Sequence, residues 1–290
     1  MQDFLSELSG FSELQGIHGN KIVLSKNDII VEMKVAKTHQ YFIKMLLDGQ
    51  DVRSVPFSVL ADGYYEPFQS EILIELGMNS THFLDIGANV GFYSLALMTV
   101  NNDLMVDAFE PQPNVFKRLL ENVKLNNFSS SINIHNIGLG NKEGELTMFV
   151  PRLTGTSGAS FYDLHEEEGD SIKIKVPVLT LDSILESMPD LLKIDVEGFE
   201  LNVLIGAERI VGLSKPTIVV ELLRKWMKPF AHTPQMFLNR MFEHNYICYV
   251  ISEGYLAEIR EVNDSTRETN FIFVHQTSGA HKDILIKYAK

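Results

Sequence analysis

From residue 82 onward the sequence alternates between short apolar stretches and longer amphipathic ones, and this alternation constrains the fold more than any other feature. The stretches "HFLDI", "LMVDAFE", "SINIHNIGL", "LLKID" and "PTIVVEL" are predicted strands, and most have the near-continuous apolar character of buried ones. The stretches "GFYSLALMTV", "NVFKRLLENVKLNN" and "GFELNVLIGAERIV" are predicted helices that alternate with them. Strands of this kind, separated by helices, are typical of a parallel sheet covered on both faces. We therefore predict an α/β fold with a doubly wound sheet.

The N-terminal part of the chain does not follow this pattern. Between Gly19 and Val35 apolar residues alternate as in short strands, and "HQYFIKMLLDG" predicts a helix that ends at Gly49. The stretch "EPFQSEILIELG" predicts a second helix, with a proline in its first turn. We therefore divide the chain into an N-terminal extension, residues 1–62, and a main domain, residues 63–290. The extension is a candidate cap or dimer contact.

Two features interrupt or follow the alternation in the main domain. "GELTMFV" and "IKIKVPV" predict two strands, separated by about twenty residues rich in glycine, serine, threonine and acids. Loops of that length are usually functional lids or disorder, so we predict a lid over residues 151–171. Near the C-terminus, "TPQMFLNRMFEHN" predicts a helix with Thr233 as its N-cap. "YICYVIS", "YLAEIR" and "NFIFVH" predict strands joined by short turns.

Composition and charge narrow the class of protein. The formal net charge is −13, which repels phosphate backbones and disfavours nucleic acid as a partner. Cys248 is the only cysteine, so an internal disulfide is excluded. The N-terminus "MQDFLSELSGF" lacks the basic start of a secretory signal, and the longest apolar stretch is about half of a membrane span. We expect a cytoplasmic protein without a transmembrane segment.

The stretch "FLDIGANVGFYS" predicts a ligand site. Asp85 ends the first predicted strand, Gly87 permits a sharp turn, and Gly91 lets the next helix approach the strand closely. In doubly wound sheets ligands bind outside the carboxyl ends of the strands. Backbone N–H groups of such a turn and helix start favour an anionic group. The ligand should therefore present an anion to the backbone and a group that Asp85 accepts.

Spacing distinguishes between ligands. The pattern D-x-G-x-x-x-G lacks the close glycine pair of a dinucleotide-binding turn, and Asp85 would repel a pyrophosphate. An amino-acid-like ligand fits better, because its ammonium group can face Asp85 while its carboxylate faces backbone N–H groups. Glu110, in "FEPQPN", ends the next strand, where an acid commonly accepts ribose hydroxyls. S-adenosylmethionine combines a cationic amino acid with a nucleoside, so it is the expected cofactor.

The blocks "FLDIGANVGFYSL", "FEPQPNVFKRLLENV", "IGLGNKEGEL", "LDSIL" and "LLKIDVEGFELNVLIGAERIV" together resemble the FkbM family of S-adenosylmethionine-dependent methyltransferases. The resemblance runs from about Tyr64 to Glu221 and implies a seven-stranded, Rossmann-like sheet. It also implies methylation of hydroxyl groups of sugars or polyketide-like metabolites. Four residues would hold the methionine end of the cofactor: Asp85, Gly87, Asn89 and Gly91. Glu110 would bind the ribose, and Gly138 with Leu139 would border the adenine.

The acids that follow "LLKID" are the candidate catalytic residues. Methyl transfer requires alignment of the acceptor oxygen and removal of its proton. We hypothesise that Asp195 orients the acceptor or the methionine ammonium, and that Glu197 is the base or an acceptor anchor. The same pair with Glu221 is an alternative site for a divalent metal, since hard cations favour oxygen ligands.

Each of these acids also has a structural interpretation. Glu197 suits a first helical turn, where acids interact well with the helix dipole. Glu221 suits a strand end that is hydrogen-bonded to a neighbour. His135 is expected to be a packed strand residue, His165 a solvated residue of the lid, and Trp226 either a pocket residue or helix packing.

The predicted function is an O-methyltransferase that acts on a hydroxyl of a sugar, a glycan or a related secondary metabolite. Two alternatives remain open at this stage: a non-catalytic S-adenosylmethionine-binding partner of a biosynthetic complex and, less favoured by the glycine spacing, a nicotinamide oxidoreductase. A small-molecule or glycan acceptor is the expected partner. Homo-oligomerisation is left open.

Overall fold

The computed structural model describes residues 13–15, 17–25, 28–48, 54–152, 158–163 and 171–290. The strands are β1 Glu13–Gln15, β2 Lys21–Leu24, β3 Ile29–Lys34, β4 Phe42–Leu47, β5 His82–Ile86, β6 Met105–Phe109, β7 Ile132–His135, β8 Gly138–Leu139, β9 Gly144–Pro151, β10 Ser171–Leu179, β11 Leu191–Ile194, β12 Thr217–Glu221, β13 Tyr246–Ser252, β14 Tyr255–Ile259 and β15 Asn270–His275. The α-helices are α1 Val55–Asp62, α2 Pro67–Met78, α3 Phe92–Val100, α4 Pro113–Leu125, α5 Leu181–Ile184, α6 Glu200–Ile205, α7 Glu208–Ser214, α8 Arg224–Met227, α9 Pro234–Glu243 and α10 Gly279–Tyr288.

The main sheet confirms the predicted doubly wound α/β fold. Its order is β14-β13-β15-β12-β11-β5-β6-β7, and the five strands from β12 to β7 run parallel. The strand order reverses between β5 and β11, which places the topological switch point there. The sheet has eight strands rather than the seven implied by the resemblance, because the hairpin β13–β14 adds an antiparallel edge strand.

The predicted helix in "HQYFIKMLLDG" is wrong: this segment forms strand β4 at the edge of a four-stranded antiparallel sheet. Ile43 and Met45 point into the core while Lys44 between them is exposed, which is a strand pattern. The outer edge of β4 is satisfied by side chains of α4 and its C-terminal end. Asn126 exchanges two hydrogen bonds with the backbone of Lys44, and Asn122 accepts one from Leu46 N–H. The sequence of β4 alone does not show this long-range partner.

Two further predicted elements are divided in the structure. "SINIHNIGL" forms β7 in the main sheet and β8 in a separate three-stranded sheet, where β10 pairs with both β8 and β9. "GFELNVLIGAERIV" forms α6 and α7 rather than one helix. The chain at Gly206 lies against the backbone of Gly140, so close that a Cβ would stand 1.9 Å from the Gly140 oxygen. The predicted Thr233 cap is confirmed, because its side chain accepts the Met236 N–H at the start of α9.

The N-terminal sheet shares one hydrophobic core with the main domain. Val31, Met33 and Met45 pack in the same cluster as Leu95 of α3 and Val115 of α4. A second cluster fills the other face of the main sheet, against α6, α7 and α9. The boundary at residue 62, and a cap or dimer role for the extension, stay predictions.

Two expectations concern features outside this core. Within the described part of the chain, no helix has the length and apolar character needed to cross a bilayer. His165, and much of the predicted lid, lie outside the described residues.

Candidate active site

A cleft opens at the carboxyl ends of β5, β6 and β11, at the switch point. It encloses about 900 Å³, counting the space at its mouth. The residues predicted from the sequence line it together: Asp85, Gly87, Asn89, Glu110, Gly138, Leu139, Asp195 and Glu197. Gly91 lies just behind, at the N-terminus of α3. The topology therefore collects at one place residues that are up to 112 positions apart in the sequence.

The turn between β5 and α3 requires glycine at two positions. Gly87 has a φ of +81°, and a Cβ there would lie 1.8 Å from the backbone oxygen of Asp195. Gly91 has a φ of +92°, and a Cβ there would lie 2.4 Å from Leu119 Cδ1 in α4. Asn89 between them also has a positive φ, of 50°. The backbone at the end of β11 lies so close to Gly87 that a side chain at this position would have no room.

Asp85 is buried at the tip of β5. Its Oδ2 accepts hydrogen bonds from Ser94 N–H at 3.1 Å and from Ser94 Oγ at 2.6 Å. Burial raises the pKa of Asp85, while Lys193 and the Ser94 hydrogen bonds oppose the rise. Asp85 thus fixes the start of α3 and still faces the cleft.

Glu110 is held at the tip of β6 by the turn beside it. Its Oε2 accepts Asn89 N–H at 3.0 Å, and its Oε1 accepts Gln112 N–H at 2.8 Å. Each oxygen keeps capacity for another donor, so the carboxylate can receive two adjacent hydroxyl groups. Burial raises the pKa of Glu110 to about 7, against the lowering effect of the two N–H donors.

The far wall of the cleft is apolar. Gly138 and Leu139 of β8 line it together with Ile137 and Phe161. A Cβ on Gly138 would come within 3.0 Å of Phe161 Cζ, so the missing side chain lets the aromatic ring approach. An apolar slot beside a buried acid suits a flat aromatic group.

Lys193 was not among the residues predicted from the sequence. Its ammonium group supplies a positive charge among the acids of the site. Its side chain is almost fully buried, and its Nζ donates to Asp195 Oδ2 at 2.8 Å. Burial alone would lower the pKa of Lys193, but Asp195, Asp85 and Glu66 outweigh it and raise that pKa. A lysine within the buried strand "LLKID" was the available sequence signal, because lysine is rarely buried without charged partners.

Glu197 lies in the turn after β11, with a φ of 55°. Burial, Asp195 and Glu221 raise the pKa of Glu197 to about 9, although a hydrogen bond from the Gly158 backbone opposes the rise. Its carbonyl oxygen accepts a hydrogen bond from Ser160 Oγ at 2.8 Å, which joins this turn to the described end of the predicted lid. Burial beside other acids therefore favours the protonated form of Glu197.

Glu66 and Glu221 complete a group of acids next to Asp195. Glu66, just before α2, accepts hydrogen bonds from Tyr93 Oη at 2.5 Å and from Gln69 Nε2 at 2.7 Å. Glu221 ends β12, where Thr269 Oγ1 approaches it at 3.4 Å. Burial is the main cause that raises the pKa of Glu66, and it raises that of Glu221 to about 7. Glu66 was not predicted from the sequence, since only the fold brings the start of α2 to β11.

The structure also tests the alternative interpretations of individual residues. His135 Nε2 donates a hydrogen bond to Asp107 Oδ1 at 2.7 Å, and its ring stacks on Phe109, as expected of a packed strand residue. The backbone of Trp226 packs against Gly198. Among the described residues, no three histidine, cysteine or acidic side chains are placed to hold a metal ion.

The doubly wound sheet, the glycine turn after β5 and the acids at the tips of adjacent strands are the features expected of a Rossmann-like methyltransferase. The chain belongs to the methyltransferase FkbM domain family, whose model matches residues 85–248. The match confirms the family that the sequence blocks resemble. It also covers the residues that line the cleft from Asp85 to Glu197.

Three relatives have partial similarity to the chain. Methyltransferase 1 of Beauveria bassiana is 28% identical over 163 residues, which is 50% of this chain and 65% of the relative. Methyltransferase sdnD of Sordaria araneosa is 30% identical over 50% of this chain and 68% of its own length. Hexuronic acid methyltransferase AglP of Haloferax volcanii is 30% identical over 47% of this chain and 53% of its own length. The chain thus spans between about half and two thirds of these relatives.

A solved structure of methyltransferase FkbM from Methylobacillus flagellatus KT is also similar. It is 20% identical, with a TM-score of 0.42, over 67% of this chain and 44% of that one.

Proposed function

We propose that the chain binds S-adenosylmethionine in this cleft and transfers its methyl group to a hydroxyl oxygen of a sugar, a glycan or a related metabolite. The observation that carries the proposal is the pairing of Asp85 and Glu110. Both are buried acids at adjacent strand tips, and the Asn89 backbone N–H joins the turn after Asp85 to Glu110. Two buried acids at adjacent strand tips suit a ligand that has an amino-acid end and a ribose.

The lining residues fit the three parts of this cofactor. Asp85 faces the place for an ammonium group. The backbone N–H groups of Gly87 and Ala88 already donate to the Phe109 carbonyl, and that of Asn89 donates to Glu110, so these groups are not available to a carboxylate. Glu110 would accept the ribose hydroxyls. Gly138 and Leu139 would border the adenine in the apolar slot. These assignments stay predictions, and each follows from the position of the residue around the cleft.

The chemistry assigned to the chain is positioning and proton transfer. The bound sulfonium supplies an activated methyl group. The chain's own residues must hold the acceptor oxygen in line with it and take up the hydroxyl proton. Asp195, oriented by Lys193, lines the cleft where an acceptor or the ammonium group would meet it. The raised pKa of Glu197 supports a role as an acceptor anchor that donates a hydrogen bond, since burial beside other acids favours its protonated form.

A sugar is the proposed class of acceptor, which the name of the AglP relative supports by analogy, and the hydroxyl as the methylated group is what the family resemblance implies. A cofactor-binding protein without turnover remains the principal competing function. Labelled S-adenosylmethionine separates the two: methyl transfer to any member of a panel of glycosides, glycans and hydroxylated metabolites supports the enzyme. Tight binding without transfer to any of them supports the competitor.

Cofactor binding is tested by calorimetry with S-adenosylmethionine, S-adenosylhomocysteine and NAD on the purified chain. We expect both adenosyl ligands to bind and NAD to bind far more weakly. Asp85→Asn and Glu110→Gln should each weaken binding at least tenfold, whereas the matched surface variants Asp103→Asn and Glu186→Gln should not. Preferential binding of NAD, or unchanged affinity in both site variants, would contradict the proposal.

A further inference from the structure

A second cavity lies beside the cofactor cleft and has no part in the function proposed above. It encloses about 1100 Å³, counting the space at its mouth, between the β8–β9 turn, strand β9 and helix α6. The Phe161 ring lines both this cavity and the cleft. Phe199 packs edge-on against Phe161, with 4.9 Å between the ring centres, and follows the turn that carries Glu197. The cavity, which we call the aromatic pocket, is therefore continuous with the wall of the cleft.

Aromatic rings line the pocket and are held in place by close packing. Phe230 packs against Phe199 with 5.2 Å between the ring centres, and Phe149 of β9 lines another part of the pocket. A Cβ on Gly140 would lie 2.9 Å from Phe199 Cε1, and a Cβ on Gly198 would lie 3.2 Å from Phe230 Cε2. Both rings thus rest directly on the backbone. Flat side chains fixed in this way offer a preformed surface to the apolar face of a ring-shaped ligand.

Asn202 gives the pocket a polar group without a partner. Its side chain is only 8% exposed and lines the pocket from α6. Its backbone N–H donates to the Phe199 carbonyl, and its own carbonyl accepts the Gly206 N–H, but its side-chain amide has no hydrogen-bond partner among the described residues. Buried amides in folded proteins are normally hydrogen-bonded. A ligand that both donates and accepts a hydrogen bond would satisfy this amide.

The charge distribution of the pocket favours an uncharged ligand. Among the described lining residues, the charged side chains are those of Lys142, Glu143 and Glu145, and all three are exposed at the rim. The deeper lining consists of apolar side chains and the Asn202 amide. A charged group placed there would be buried without a counter-charge, which is unfavourable.

We infer that the aromatic pocket binds an uncharged ring of the methyl acceptor, next to the unit whose hydroxyl group is methylated. The apolar face of this ring packs on Phe199 and Phe230, and one of its hydroxyl groups hydrogen-bonds to the Asn202 amide. Because Phe161 stands between the pocket and the cleft, the acceptor contains at least two ring units. A second sugar and a hydroxylated aryl group share this chemistry. The inference rests on the proposed function.

The test uses probes that differ in the second ring. The methyl glycosides of glucose, galactose and mannose carry one ring. The 4-hydroxyphenyl glycosides of the same sugars add an aryl ring, and methyl cellobioside and methyl lactoside add a sugar ring. Binding is measured by saturation-transfer NMR and calorimetry, with the chain free and saturated with S-adenosylhomocysteine. We expect a two-ring probe to bind at least tenfold more tightly than its one-ring partner, and the two arms distinguish an aryl group from a sugar. No gain in either arm would overturn the inference.

Variants of the pocket locate the gain in affinity. Asn202→Leu and Phe230→Leu should each reduce the gain from the second ring at least threefold, while affinity for S-adenosylhomocysteine stays intact. Asn239→Leu, at an exposed amide of α9, and Phe242→Leu, at the end of the same helix, are the matched controls and should leave the gain unchanged. If the gain persisted in both pocket variants, the second ring would bind elsewhere and the inference would be wrong.

Stability distinguishes a ligand-binding amide from a structural one. Because the Asn202 amide has no described partner, Asn202→Leu should leave the urea midpoint of the ligand-free chain unchanged or raise it. A lowered midpoint would show that the amide supports the fold, and its assignment to a ligand would be overturned. Failure of the unmodified chain to bind S-adenosylhomocysteine would instead contradict the proposed cofactor, while the titrations of the free chain would still decide whether the pocket binds a ring.

Discussion

Lys193 and Asp195 form an ion pair of 2.8 Å at the carboxyl end of β11. Successive side chains of a strand point to opposite faces, so residues two positions apart share a face. The pair therefore stands on one side of the sheet, with the Lys193 ammonium 5.1 Å from the centre of the Tyr93 ring. The Lys193 ammonium thus interacts both with Asp85, the acid predicted to hold the methionine end, and with Asp195 and Glu66.

Replacement of this cation should destabilise the fold. In Lys193→Met the side chain keeps its approximate length but leaves Asp195, Asp85 and Glu66 without their counter-charge. Because removal of one partner of a buried pair leaves an uncompensated charge, we expect a loss of about 3–5 kcal/mol in the free energy of unfolding. Urea denaturation measures it. Lys142→Met, at an exposed position, is the control, and equal stability of the two variants would contradict the central role of Lys193.

The turn at Gly87 should not tolerate a methyl group. Gly87→Ala would force a Cβ to within 1.8 Å of the Asp195 oxygen at a positive φ. We expect a loss of at least about 2 kcal/mol in stability and a loss of S-adenosylhomocysteine binding, measured by denaturation and calorimetry. A Cβ added to Gly212 in α7 would meet no atom within 4 Å, so Gly212→Ala should be neutral or stabilise by about 0.5–1 kcal/mol. If Gly87→Ala and Gly212→Ala had the same stability and the same affinity for S-adenosylhomocysteine, the prediction that a side chain is sterically excluded at Gly87 would be wrong.

Stability without ligand should fall as the pH rises from 5 to 8. Glu110, Glu200 and Glu221 have pKa values raised from 4.5 to about 7, mainly by burial, so the folded chain binds their protons more tightly than the unfolded chain does. Between the two values each group therefore removes up to about 1.4 kcal/mol of stability per pH unit. Above about pH 7 their contribution levels off, and Glu197 extends the decline toward pH 9.

Urea midpoints at intervals across this range measure the pH effect. Glu110→Gln and Glu221→Gln should each flatten the decline, because the amide does not titrate. Glu186→Gln should leave the slope as it is. A midpoint that rises steadily from pH 5 to pH 8 would show that burial does not hold these carboxyl groups in their protonated form.

The two predicted catalytic acids should be separable from cofactor binding. Asp195→Asn and Glu197→Gln keep the size of each side chain and remove its negative charge or its ability to titrate. We expect methyl transfer to fall by about 10²–10⁴-fold where the residue handles the acceptor proton, and less where it only anchors the acceptor. Single-turnover assays with labelled cofactor measure this, with Asp103→Asn as the control. Unchanged turnover with intact cofactor binding would exclude that residue from the mechanism.

The predicted lid should respond to ligands. Ser160 donates a hydrogen bond to the Glu197 carbonyl, and Phe161 lines the cleft, so a bound ligand would contact this segment. We expect protease cleavage within residues 151–171 to slow at least tenfold when S-adenosylhomocysteine and an acceptor are both present. Mass spectrometry of limited digests measures this. Cleavage at the same rate with and without ligands would rule out a lid.

Local sequence patterns predicted the strands and helices that carry the cleft, because their periodicity reflects burial within each element. The strand β4 escaped prediction because its apolar alternation is short and its outer edge is satisfied by Asn122 and Asn126, about eighty residues away. The division of "SINIHNIGL" between two sheets was likewise decided by pairing with β10. Local patterns carry no information about such partners.

The sequence by itself determined the parallel sheet, the glycine turn after β5 and the acids at the strand tips, since these depend on residue type and on position within one strand–turn–helix unit. Only the tertiary structure decided that Glu66, Lys193 and Glu221 meet beside Asp195. Their charges interact across three separate elements that the switch point brings together, and electrostatic interactions depend on distance and burial rather than on separation along the chain.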